Sequence, residues 1–67
     1  MPIAIGTRVR LVAEHGVGSV GDEGMVTGRD SDGRWAVEIT NRADCTPVTK
    51  PLLGVPAEKL ATDTRCR

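Results

Sequence analysis

Met25-Val26-Thr27-Gly28-Arg29-Asp30-Ser31-Asp32-Gly33-Arg34-Trp35-Ala36-Val37-Glu38-Ile39-Thr40 is the stretch that decides the fold. Over Arg34 to Thr40, Trp35, Val37 and Ile39 alternate with Arg34, Ala36, Glu38 and Thr40. Side chains on a strand point to opposite faces in turn, so this spacing predicts a strand with one buried face. Met25 to Arg29 reads as the strand before it, with Gly28 marking a bulge or bend. Between the two lies Asp30-Ser31-Asp32-Gly33, a compact turn ending in Asp-Gly, which is the strongest hairpin signal in the chain.

Working outward toward the N-terminus, Thr7 to Ala13 alternates again. Val9, Leu11 and Ala13 share one face, and Arg8 and Arg10 share the other. Residues 14–24 hold four glycines and predict a long mobile loop, because glycine loses the most backbone entropy on ordering. Toward the C-terminus, residues 41–47 form a polar loop. Val48 to Leu53 is a weaker strand, and Pro51 confines it to an edge, because proline cannot donate to a ladder. Gly54 breaks it. Val55-Pro56-Ala57-Glu58-Lys59-Leu60 predicts a single helical turn with Pro56 at its first position. Val55 and Leu60 anchor that turn, and a short last strand follows at Leu60 to Thr62. Asp63 to Arg67 is expected to fray.

The expected architecture is therefore all-β: a small five-stranded barrel with one short helical turn before the last strand. The barrel domain spans residues 1–61, and residues 62–67 form a polar tail. A chain of 67 residues holds one domain. A 60-residue domain buries only about 60% of its unfolded surface. There is no Phe or Tyr, and Trp35 is the one aromatic ring. Aliphatic packing must do nearly everything, which leaves a homo-oligomer open. Trp35 itself is expected at the edge of the core, with its indole N–H reaching a partner or water.

Nine Lys and Arg balance nine Asp and Glu, so net charge is zero with His15 neutral. A generic polyanion binder is normally clearly basic, which disfavours that class. Cys45 and Cys66 form no CxxC pair for zinc. They are expected to be free thiols in a reducing compartment, with a single Cys45–Cys66 bridge left open. No apolar run suits a bilayer span, and no basic region followed by an apolar one marks a secretory signal. A cytoplasmic protein is the expectation.

Several short motifs invite sharper readings. Gly16-Val17-Gly18-Ser19-Val20-Gly21 matches G-x-G-x-x-G, but that dinucleotide motif needs a helix next, and Asp22-Glu23-Gly24 and a strand follow instead. A loop is the better reading. Asp30-x-Asp32-Gly33 lacks the later ligands of a calcium loop, so it reads as a solvated hairpin tip. His15 and Cys45 have no activating neighbour in sequence. No cofactor or metal site is expected. The arginines are the most informative set: Arg8 and Arg10 on the outer face of one strand, Arg29 and Arg34 flanking the hairpin. They define the candidate binding surface. Interleaved Asp30, Asp32 and Glu38 also allow a plain mixed-charge surface, and that reading is preferred.

Taken in order, Gly6-x-Arg8-Val9-Arg10, Gly24-x-Val26-x-Gly28, the Asp-Gly hairpin into Trp35-Ala36-Val37-Glu38, and Val55-Pro56-x-x-x-Leu60 resemble small SH3-like barrel modules over residues 5–61. Among these are KOW-type domains, the small barrel-shaped accessory protein of photosystem I and the variable chain of ferredoxin–thioredoxin reductase. The resemblance implies a non-catalytic interaction module, an accessory subunit or adaptor docking on a protein partner. A proline-peptide groove is disfavoured because it needs several rings. The KOW resemblance implies nucleic-acid binding through Arg8, Arg10, Arg29 and Arg34 as the alternative. A third class is the plasmid-encoded trimethoprim-resistant dihydrofolate reductase, which is similar in its opening and Trp-Ala-Val-Glu segments. Its pore triplet Gln-Ile-Tyr is replaced here by Thr49-Lys50-Pro51-Leu52. The interaction module is the reading adopted.

Overall fold

The computed structural model describes residues 3–66. Five strands follow in chain order: β1 Arg8–Leu11, β2 Glu23–Arg29, β3 Trp35–Asn41, β4 Pro47–Val55 and β5 Leu60–Ala61, with a 3₁₀ turn Ala57–Lys59 before the last. All neighbours are antiparallel, and the order across the sheet is β4-β3-β2-β1-β5. The sheet curls strongly into a half-barrel, compatible with an SH3-like barrel.

The alternation read from the sequence places the core. Val9, Leu11, Val26, Trp35, Val37, Ile39, Leu52, Val55 and Leu60 form one buried cluster. Trp35 is 7% exposed and belongs to this cluster rather than its rim. Arg29 lies over the ring, 4.9 Å from its centroid. The hairpin forms at Asp30 to Gly33: Asp30 N–H donates to Arg34 O at 2.7 Å, and Gly33 takes φ +82°. The register of β2 and β3 shifts between Val26 and Gly28, where the glycine marked a bulge.

Strand ends differ from expectation for local reasons. β1 stops at Leu11, because the chain then turns away and Val12 N–H donates to Lys59 O. β4 runs through Gly54 to Val55 instead of breaking there. Gly54 sits at φ +64°, a conformation that lets β4 absorb the register shift against β3 and continue. β4 is an edge strand, as Pro51 requires.

The loop of residues 14–22 is not loose. His15 and Gly18 exchange two backbone hydrogen bonds, 2.9 and 3.2 Å long. Gly21 N–H donates to Leu11 O, and Ser19 N–H to the Asp22 carboxylate. Gly18 is buried, and a Cβ there would lie 2.6 Å from a Leu11 methyl and 2.8 Å from a Leu52 methyl. Leu11 is on β1 and Leu52 on β4, so the loop packs across the side of the sheet where its edges are unpaired. Lys50 on β4 donates to Val17 O, and Lys59 before β5 donates to Glu14 O. Lys59 also donates to His15 Nδ1 at 3.3 Å, which leaves Nε2–H to donate to Leu53 O at 2.8 Å. The G-x-G-x-x-G run is thus a close-packed plug, followed directly by a strand.

The cysteines and the tail differ from expectation. Cys45 and Cys66 are joined in a disulfide rather than free. Persistent disulfides belong to oxidising environments, so the thiols give no footing for a reducing compartment. No helix among the described residues is long and apolar enough to cross a membrane. The tail does not fray through Cys66: Arg65 N–H and Cys66 N–H donate to the carboxylate of Glu23, at 2.8 and 3.0 Å. Glu23 is 1% exposed, a buried carboxylate whose oxygens are satisfied by backbone donors.

Candidate functional site

The four arginines are split into two groups. Arg8 and Arg10 project from β1. Arg8 is opposite Met25, and Arg29 lies four residues further along β2, about 13 Å away at strand spacing. One Nη of Arg10 donates to both oxygens of Asp63 at 2.9 and 3.0 Å. That hydrogen bond, and the guanidinium charge, hold the Asp63 carboxyl below the usual Asp range. The Nε of Arg10 is buried without a partner among the described residues. Arg29 is committed to the face of Trp35, a cation–π arrangement. Arg34 is exposed just before β3. Two of the four arginines thus have partners of their own, Arg10 in Asp63 and Arg29 in Trp35.

Among the described residues, two surface concavities bear on function. The first is polar, about 520 Å³, lined by Ser19, Val20, Asp22, Arg42, Ala43, Asp44 and Lys50. Its charges are largely spent on the fold. Lys50 pairs with Asp22 at 3.3 Å and also holds Val17 O. Asp44 is held below the ordinary carboxylate range, chiefly by hydrogen bonding with Thr46.

The second is an apolar groove of about 360 Å³ lined by Thr27, Ala36, Val37, Glu38, Thr49, Pro51, Leu52 and Leu53. The register explains it. Glu38 is opposite Pro51, and Met25 opposite Glu38, so one row on the outer face reads Arg8, Met25, Glu38, Pro51. Small Ala36 on β3 leaves a hollow beside the larger Leu53 on the edge strand. Leu53 is 75% exposed and Met25 39%. Scattered apolar side chains are ordinary on surfaces; here an exposed leucine borders a hollow with one charged wall. Glu38 is exposed and makes no ion pair among the described residues.

The arginine reading does not anticipate this groove. Its signal in the sequence is the doubled Leu52-Leu53: with a period of two, one of the pair must face outward. Leu52 is buried and Leu53 is not. No family model, curated protein or solved structure matches the chain.

Proposed function

We propose that the chain is a non-catalytic interaction module that docks on a protein partner through the outer face of β3 and β4. The observation that carries this reading is the apolar groove beside Leu53, walled by Glu38, which makes no ion pair among the described residues. Its occupant is a protein segment that places an aliphatic side chain in the hollow and a cationic residue against Glu38. Charge complementarity of this kind sets register and partner choice, while the desolvated apolar contact supplies most of the affinity. Phosphate binding by the arginines has less support, since Arg10 is neutralised by Asp63 and Arg29 is occupied by Trp35.

The test compares immobilised wild type, Leu53→Asp, Glu38→Lys and a control, Arg42→Ala, as baits for an extract of the native host. The reading expects a protein bearing a basic, aliphatic segment that is retained by wild type and control and lost by at least tenfold with either groove variant. Recovery of RNA or DNA alone, or retention indifferent to Leu53 and Glu38, would overturn it. Self-association abolished by Leu53→Asp, seen in sedimentation, would instead make the occupant a second copy.

A further inference from the structure

The Cys45–Cys66 bond joins two very unequal partners. Cys45 is exposed, in the turn between β3 and β4. Cys66 is 4% exposed, yet it lies outside the apolar core cluster. The turn that presents Cys45 is self-supporting. Cys45 N–H donates to Arg42 O, Arg42 N–H to Thr46 O, the Asn41 amide to Cys45 O, and Thr46 N–H to the Asp44 carboxylate. These bonds hold Cys45 at φ +68°, a left-handed conformation that a non-glycine residue adopts only when its surroundings impose it. The tail has no such support. Across residues 62–66 it contributes the Arg10–Asp63 pair, one short Thr64–Thr62 bond and the two N–H donors to Glu23. Its one buried side chain is Cys66, which lies outside the nine-residue apolar cluster.

We propose that Cys45 is a thiol-exchange site, and that its bond to Cys66 is a latch which a dithiol reductant opens without unfolding the sheet. A thiolate of the dithiol attacks Sγ of the exposed Cys45. The Sγ–Sγ bond breaks, and Cys66 leaves as a thiolate that takes up a proton. The second thiol of the reductant then attacks the mixed disulfide, releasing Cys45 as a thiolate and closing the reductant into its own cyclic disulfide. Two electrons pass to the protein, and the two cysteines end as thiols.

The physical consequence is local. The covalent tie holds the tail's N–H groups at high effective concentration beside Glu23. Once it is cut, ordering five residues must be offset by a few hydrogen bonds and an exposed ion pair, and loosely tied segments open long before the core does. Residues 62–66 detach, and the carboxylate of Glu23 passes from 1% exposure to water. The nine-residue core cluster stays intact, because none of it is tail. The reduced and oxidised forms then present different surfaces at this end of the molecule: a buried anion under a pinned tail, or an open anion, a free thiol on a rigid turn and a detached tail.

The test treats the full chain with dithiothreitol at 15 °C. Iodoacetamide trapping and mass measurement report the thiols. Far-ultraviolet circular dichroism and Trp35 fluorescence report the sheet, and amide exchange by NMR reports the tail. The latch predicts two alkylated cysteines, unchanged sheet and tryptophan signals, and exchange of the Arg65 and Cys66 amides at least 100-fold faster, with Val37 and Ile39 still protected. Cys66→Ser, without reductant, is expected to reproduce the tail pattern. Loss of the sheet signal in step with reduction would mean a global staple and overturn the proposal. So would Arg65 and Cys66 amides that stay protected once both thiols are alkylated.

Discussion

The β1–β2 loop and the C-terminal tail both read as mobile in the sequence, and both are held, but by opposite means. The loop, residues 14–22, is fixed by close packing and many backbone bonds: Gly18 against Leu11 and Leu52, Gly21 to Leu11 O, His15 and Lys50 across to β4. The tail, residues 62–66, is fixed chiefly by one covalent bond and the Glu23 carboxylate, with the Arg10–Asp63 pair beside them. Distributed anchoring survives the loss of any single contact, whereas concentrated anchoring can be switched by one reaction. In a chain with so small a core, the loop also completes the barrel's shape where no ladder joins β4 to β5.

The largest effect is expected at the tail. Cys66→Ser removes the closure of a chain segment with sequence separation 21. Loop-closure reasoning gives an upper bound of about 3 kcal/mol on the loss, reduced by the entropy the detached tail regains in the folded variant, read from urea unfolding of the oxidised wild type against the variant. On the loop side, Gly18→Ala forces a Cβ into the methyls of Leu11 and Leu52. Overpacking of this kind costs about 2 kcal/mol. Gly16→Ala sharpens the point: φ there is +58° but the nearest atom is 4.0 Å away, so only the backbone penalty remains, about 1 kcal/mol.

Glu23→Gln comes next. It keeps one acceptor for the tail's amides and loses the charge-assisted bond, so the expected cost is about 1 kcal/mol by the same urea measurement. In the Cys66→Ser background the cost should shrink, because the tail is no longer held against residue 23, and a double-mutant cycle reads that coupling. An equal cost in both backgrounds would separate Glu23 from the latch.

The smallest effect belongs to Arg10 and Asp63. The folded Asp63 carboxyl is held below its ordinary value by Arg10. Its contribution to stability is therefore present above the unfolded Asp range and is lost as pH falls through the folded, lowered pKa. An NMR titration of the Asp63 carboxyl should show a midpoint below the ordinary value of 3.8, rising toward it in Arg10→Ala and in high salt. A midpoint unmoved by either change would remove Arg10 as the cause.

Most of the sheet was legible. Alternation placed Val9, Leu11, Trp35, Val37 and Ile39 inward, Asp-Gly placed the hairpin, Pro51 placed β4 at an edge, and Pro56 announced the turn before β5, though it caps that turn in an extended conformation instead of being its first residue. What stayed hidden depends on contacts distant in sequence. Glycines 16, 18 and 21 signal backbone freedom, and nothing local tells whether that freedom serves motion or close packing. Burial of Glu23 requires donors from residues 65 and 66, and the Cys45–Cys66 pairing requires the turn and tail to meet. Alternation puts Arg8 and Arg10 on one strand and Arg29 and Arg34 beside the hairpin, but their grouping depends on which acids and rings each finds. The groove beside Leu53 rests on a hollow left by Ala36 across the β3–β4 register, which the sequence of either strand alone does not specify.

Residue-resolved amide exchange of the oxidised protein shows directly whether a glycine loop packed between β1 and β4 completes the half-barrel. The Gly18 and Gly21 amides, which donate to His15 O and Leu11 O, should exchange at least 100-fold more slowly than an unstructured chain. Gly18 and Gly21 exchanging at unstructured-chain rates, while Val37 and Ile39 remain protected, would contradict it.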